Sequence, residues 1–201
     1  EENKMALWGV SDADEAKPKY LTTAEKRDVY ADAGGWKQAA GTEKSGNDNA
    51  SAQAETLVAI RGLGTTAAKL NVADISSINW NTTSFDKSNG GTLSVTVNYN
   101  EQVTVTGTPQ LSVTNGNQGS GSGRGPHVLS YASGTNTNRL TFTLAIAAAN
   151  AATNADDVLS IGANAVSLNS GTIKEKGTNT DATITSSAGI GTAAGTITVV
   201  A

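Results

Sequence analysis

The stretch TLSVTVNYNEQVTVTGTPQLSVT, residues 92–114, constrains the fold of this chain more than any other. From Leu93 to Tyr99 its apolar side chains alternate with hydroxyl and amide side chains. A period of two predicts an antiparallel strand that is buried on one face. Enzymes often place Asp, His, Ser or Cys at the ends of such strands, but these ends carry Asn, Gly and Thr. The stretch therefore predicts a structural β domain rather than an active site.

Further strands are predicted along most of the chain. They are TLVAIRGL (56–63), NVADISSINW (71–80), HVLSYAS (127–133), RLTFTLAI (139–146), DVLSIG (157–162), NAVSLN (164–169), ATITSS (182–187) and GTITVVA (195–201). Turn signals separate them, including Gly134-Thr135-Asn136. Seven or so short strands with a turn every 8–12 residues are typical of an immunoglobulin-like sandwich. The predicted fold class is therefore mainly β, with an immunoglobulin-like β-sandwich in the C-terminal part.

The N-terminal part has a different pattern, and four segments are predicted in all. Residues 1–20 are expected to form an extended docking arm, residues 21–75 a small α+β platform, residues 76–186 the sandwich and residues 187–201 a C-terminal strand tail. A capping box from Thr22 to Glu25 predicts a helix from Thr23 to about Ala33. The residues expected to contact a partner are apolar or aromatic: Leu7, Trp8, Val10, Tyr20 and Trp36.

Charge and composition limit the classes of partner. The net charge is -4 with a pI near 4.9, and Lys and Arg are not clustered, so no nucleic-acid partner is expected. No apolar run approaches the roughly 20 residues that span a bilayer, so no membrane insertion is expected. Residues 86–201 carry 5 Lys/Arg and 6 Asp/Glu against 9 and 12 in residues 1–85. The surface of the C-terminal part must therefore consist largely of Thr, Ser, Asn and Gly.

No catalytic residue is predicted. Without cysteine there is no thiolate nucleophile and no disulfide, and the single histidine, His127, is the one centre that a histidine-dependent site could use. His127 follows the glycine-rich run GNQGSGSGRGP, and both it and Arg124 are expected on an exposed loop. No cofactor is predicted. Calcium is the one candidate, with carboxylate ligands in two acidic turns without EF-hand spacing: Asp12 and Asp14, and Asp156 and Asp157.

Residues 74–186 resemble the bacterial Ig-like repeat of large secreted adhesins and cyanobacterial cell-surface proteins. The matching positions are Glu101, Val103, Val105, Gly107, Pro109, Ile161, Asn164, Leu168, Gly171, Thr172 and Ile173. The resemblance implies an immunoglobulin-like fold. It leaves the function open among spacers, adhesins and virion decorations.

The opening MALWGVSDADEAKPKYLTTAEKRDVYADAGGW (residues 5–36) is similar to the start of small virion structural proteins from tailed phages of marine cyanobacteria. Trp8, Gly9, Lys17, Pro18, Lys19, Tyr20, Leu21 and Trp36 carry the similarity. It implies a non-enzymatic virion protein, and a capsid-surface decoration subunit is the reading we favour. Its partners would be other virion proteins and copies of itself, with a host-surface glycan as a further candidate. The alternative is a bacterial cell-surface adhesin or extracellular filament subunit with an Ig-like domain, for which calcium is a candidate ligand.

Overall fold

A computed structural model describes residues 21–32, 35–42, 53–59, 72–116 and 124–201, and this part of the chain is mainly β, as predicted. The elements are α1 (Thr23–Lys26), β1 (Val29–Asp32), β2 (Gly35–Gln38), β3 (Glu55–Ala59), β4 (Ile75–Trp80), β5 (Phe85–Asp86), β6 (Gly91–Thr106), β7 (Gln110–Gly116), β8 (His127–Ser133), β9 (Thr137–Ile146), β10 (Val158–Ser160), β11 (Val166–Ser167), β12 (Thr172–Glu175), α2 (Ala188–Ala193) and β13 (Ile197–Val200).

The strands form one hydrogen-bonded mixed sheet. Its order is β3-β2-β1-β6-β9-β8-β7-β10-β13-β5, with β4 and β12 also paired to β6 and β11 also paired to β7. Two pairs, β1 with β6 and β13 with β5, are parallel, and the other described pairs are antiparallel. We call β4–β13 with α2 the body, and the described residues from 21 to 59 the N-terminal region.

Strand β6 organises the body. The alternation from Leu93 to Tyr99 predicts a strand here, and the observed strand extends beyond it to 16 residues. Its first half lies between β4 and β9, and its last residues pair with β12. The register against β9 shifts between Asn98 and Val103, so the strand changes partners at an irregularity. The apolar positions from Leu93 to Tyr99 are fully buried, as predicted, but Thr96 and Asn98 between them are buried as well.

One apolar cluster fills the body. Every strand from β4 to β13 contributes to it, and among the described residues Ala73 is its first member. Strands that lie far apart in the sheet order contribute to this one cluster. The indole Nε1 of Trp80, at the end of β4, donates to the carbonyl of Gly195, 3.2 Å away, just before β13. This bond joins β4 to the segment that leads into the last strand.

The turn between β8 and β9 lies at Gly134-Thr135-Asn136, as predicted. Gly134 has φ +113°, and a Cβ there would lie 1.9 Å from the carbonyl oxygen of Arg139. The amide of Thr135 donates to the Tyr131 hydroxyl at 2.8 Å. Glycine is therefore required at position 134 for both conformation and space.

The predicted helix from Thr23 to Ala33 is wrong in length. The capping box is present, with the Glu25 amide donating to Thr22 Oγ1 and the Thr22 amide donating to the Glu25 carboxylate. The helix nevertheless ends at Lys26, and β1 follows at Val29. A single turn has little stability of its own. Pairing with β2 buries the side chains of Val29 and Ala31. Residues two positions apart lie on the same face of a strand, whereas in a helix they would point in different directions.

The predicted strand at ATITSS is also wrong. Residues 182–187 form no ladder, although the amide of Ala182 donates to the carbonyl of Ile173 and that of Thr183 to Ala73. β12 occupies the place beside β6 instead. The last residues, predicted as a strand tail, contain α2 and β13, and β13 pairs within its own chain with β10 and β5.

Candidate functional site

Arg139 on β9 joins the N-terminal region to the body. Its Nε donates to the carbonyl of Arg27 at 2.7 Å, and its Nη2 pairs with Oδ1 of Asp28. Burial lowers the pKa of the Arg139 guanidinium, and the charge of Asp28 opposes that shift. Beside this contact, Ala31 of β1 pairs in parallel with Glu101 of β6. We call the two contacts of Arg139 the arginine fork. The arginine fork and the pairing of Ala31 with Glu101 therefore attach the N-terminal region to the body.

A cleft of about 480 Å³ opens next to this junction. Its walls come from α1, the end of β2 with the turn after it, and Arg139. Arg27 and Arg139 give it two positive side chains, and Glu25 and Asp28 give it two negative ones. With both signs present, charge alone selects neither an anion nor a cation.

The outward face of β4 and β6 carries a buried amide and hydroxyl network. Asn98 is fully buried, and its Nδ2 donates to Ser77 Oγ at 3.0 Å and to Asn79 Oδ1 at 2.7 Å. Asn81 Nδ2 donates to the hydroxyl of Thr96 at 2.9 Å. The alternation predicts a strand buried on one face, whereas the middle of β6 is buried on both.

A second buried polar network surrounds Asp157, at the start of β10. Its Oδ2 accepts from the Asn154 amide at 2.7 Å and from Asn115 Nδ2 at 3.0 Å, and Arg124 Nη1 lies 3.7 Å from its Oδ1. Asn115 Nδ2 also lies 3.2 Å from Nε2 of His127. Burial lowers the pKa of His127, and the negative charge of Asp157 opposes that shift. The network therefore connects the ends of β7, β8 and β10.

The prediction that Arg124 and His127 lie on an exposed loop is wrong. His127 is 5% exposed, and the Arg124 side chain is 13% exposed and paired with Asp157. The sequence signal for this site is that Asn115 and Asp157 are polar residues directly beside apolar strand segments. The two residues lie far apart in sequence, so their approach to His127 could not be inferred from the sequence. Gly125 lets the chain pass close to Asn115, since a Cβ there would lie 2.6 Å from the Cβ of Asn115.

The calcium and docking candidates are placed as follows. Asp156 is exposed with φ +66°, while Asp157 is buried and bonded to protein donors, so the two neighbours occupy different environments. Trp36, on β2, is 2% exposed, so its ring is covered by its own chain. The prediction that it contacts a partner is therefore wrong for this structure. Six other candidates lie outside the described residues: Leu7, Trp8, Val10, Asp12, Asp14 and Tyr20.

No protein-family model, curated protein or solved structure matches this chain. Within residues 21–32, 35–42, 53–59, 72–116 and 124–201, no three His, Asp or Glu side chains are grouped so that they could hold a metal ion. Neither helix of the described part is long and apolar enough to cross a membrane.

Proposed function

We propose that this chain is a non-enzymatic structural protein of a tailed-phage virion, and that it decorates the capsid surface. The observation that carries the proposal is the attachment of a small N-terminal region to a β body that contains its own core. A subunit of this kind can attach through one part and project the other. The phage-like opening sequence lies in the part that would attach.

We also propose that the body is an immunoglobulin-like sandwich. Three features support this: antiparallel pairing from β6 through β9, β8 and β7 to β10, one core shared by all body strands, and the change of partners along β6. In packed sheets, strands change layers at bulges and bends. The shift between Asn98 and Val103 fits such a corner.

In this function the arm, residues 1–20, contacts neighbouring subunits through Leu7, Trp8 and Val10. Most of the outward positions on β6, β8 and β9 are Thr, Ser or Ala, and Arg139 is the one charged residue of β9. Such a face stays hydrated without attracting charged partners. It suits an outer surface of a particle, where many copies lie side by side.

The test compares the oligomeric state of the full chain with that of a form lacking residues 1–20, by mass photometry and light scattering. A matched point variant is Trp8→Ala, with Trp80→Phe as a control for a tryptophan in the body. We expect the full chain and the control to assemble, and both the truncated form and Trp8→Ala to stay monomeric.

The opposite result is equally specific. If the full chain is monomeric at all accessible concentrations and millimolar Ca²⁺ sharply raises its melting temperature, the virion proposal fails. The adhesin alternative, a calcium-dependent surface protein, would then replace it.

A further inference from the structure

The only histidine of the chain lies where three parts of the body meet. His127 is buried on β8, beside Asn115 of β7 and the turn that leads to Asp157. The Nδ2 of Asn115 is 3.2 Å from His127 Nε2, 3.0 Å from Asp157 Oδ2 and 3.3 Å from the carbonyl oxygen of Ala152. One amide nitrogen thus faces three groups that can accept its two hydrogens.

This geometry favours a neutral imidazole. The Asn115 amide nitrogen carries hydrogens and offers no acceptor, so a ring with its proton on Nδ1 can accept from it at Nε2, whereas an N–H group at Nε2 finds no acceptor there. The reverse orientation of the amide would place Oδ1 of Asn115 against the Asp157 carboxylate and a carbonyl. It would lose the hydrogen bond from Asn115 to Asp157 and is therefore the less favourable orientation.

Protonation of His127 would place an N–H group against the N–H groups of Asn115 in a site shielded from water. The conflict is removed by rotating the Asn115 amide, whose Oδ1 is buried without a hydrogen-bond partner among the described residues. Rotation, however, withdraws the donor from Asp157 and leaves a buried carboxylate with fewer hydrogen bonds. The neutral ring and the present position of the Asp157 turn therefore depend on each other.

The charges around the ring come from several segments. Asp157 attracts an imidazolium, and Arg124, 3.7 Å from the same carboxylate, offsets that attraction. Asp156 is exposed on the turn, and Lys87 donates to Asn154 Oδ1 at 3.0 Å. Arg139 is the one charged residue of β9. It lies opposite Asn98 of β6 in the strand register, near the end of β9 that is farther from His127.

The turn is also bonded to the last strand. The amide of Val199 donates to the carbonyl of Asp157 at 2.8 Å, and the amide of Asp156 donates to the carbonyl of Val199 at 2.9 Å. Val158 and Leu159 then pair with β13. A shift of the turn is therefore transmitted to β13.

We propose that His127 is a pH sensor whose protonation releases the Asp157 turn and loosens strand β13, while the rest of the body stays folded. The proposal does not depend on the virion function. Since burial lowers the pKa of His127, the open state binds the proton more readily than the closed one. The closed state is therefore most stable above the ordinary histidine pKa of about 6.5, and it loses stability as the pH falls from there to the lowered pKa.

Two measurements on the wild-type chain test this proposal. The ¹³Cε1 signal of the single histidine gives its pKa directly, and amide hydrogen exchange gives the protection factor of Val199 from pH 8 to pH 5. We expect a midpoint below 6.5. Protection of Val199 should fall by up to about tenfold per pH unit between 6.5 and that midpoint and then level off, with no change at Val95 and Val97.

The variant His127→Gln keeps a neutral acceptor at this position, and it should remove the pH dependence of Val199 protection. Val128→Thr, at the exposed neighbouring position, should retain it. The proposal fails if His127 titrates at or above 6.5, or if Val199 protection is unchanged after the histidine has titrated. Both readings come from the wild type, so they decide the matter even if the glutamine variant does not fold.

Discussion

The body and the N-terminal region of this molecule are stabilised in different ways. The body buries an apolar cluster to which each of its strands contributes. In the described part of the N-terminal region the buried apolar side chains are Val29, Ala31 and Trp36, and none belongs to that cluster. The contacts of this region with the body include an arginine fork and one parallel strand pairing.

The difference indicates a hierarchy of stability. Burial of apolar surface is the main favourable term in folding, and the body contains most of the buried apolar side chains of the described residues, so we expect it to fold alone. The short strands β1 and β2 do not, because an isolated hairpin is marginally stable in water. We therefore expect the N-terminal region to open locally while the body remains folded.

The largest effect is expected from Phe142→Ala in the body. Phe142 is fully buried on β9, opposite Val95, and it contacts the Tyr131 ring edge-on with centroids 6.1 Å apart. Removing a buried phenyl ring costs about 3–5 kcal/mol. Urea unfolding followed by circular dichroism should show this loss in the free energy of unfolding, and the N-terminal region should open before the body or with it.

The matched control is Val200→Ala, at a side chain that is 51% exposed. It should change the unfolding free energy by less than about 0.5 kcal/mol. If Phe142→Ala costs no more than this control, the body is not the stable part of the molecule, and the comparison fails.

Period-two alternation predicted most of the body. HVLSYAS coincides with β8, and RLTFTLAI lies within β9, because both alternate and are bounded by turn residues. The same reasoning failed between 172 and 187. The segment TIKE has two charged residues, yet it forms β12 because it pairs with β6. The segment ATITSS alternates but pairs with no strand, so it forms none.

The N-terminal region and the buried networks could not be predicted in this way. A capping box predicts where a helix begins but not where it ends, and the pairing with β2 decided that β1 starts at Val29. His127 was placed on the surface because polar residues beside glycines usually lie there. Its burial depends on Asn115 and Asp157, which approach it only in the folded chain.

A smaller effect, confined to one region, is expected from Arg139→Leu. The substitution removes the donors to Asp28 and to the carbonyl of Arg27 in a half-buried site, and it leaves Asp28 with the more distant Arg27 side chain, 3.7 Å away. Such a loss costs about 1–3 kcal/mol. Amide hydrogen exchange should increase in β1 and β2, while the urea midpoint of the body stays the same.

Lys174→Ala provides the control for this substitution. Lys174 pairs with Asp181, whose side chain is 82% exposed, and exposed ion pairs contribute little to stability. It should leave exchange in β1 unchanged. If Arg139→Leu instead lowers the urea midpoint of the body, the two regions form one cooperative unit, and the proposed hierarchy is wrong.

The smallest effect is expected from Thr22→Ala at the start of α1. It removes the hydroxyl that accepts from the Glu25 amide, at a cost of about 1 kcal/mol. α1 is one turn long and buries no side chain, so the loss should appear only as faster exchange of the Lys26 amide, which donates to the carbonyl of Thr22. Thr23→Ala, one residue later and outside the capping box, should leave that exchange unchanged. Faster exchange in β1 as well would mean that the capped turn helps to position Asp28 for Arg139, and the attachment would then begin at Thr22 rather than at the arginine fork.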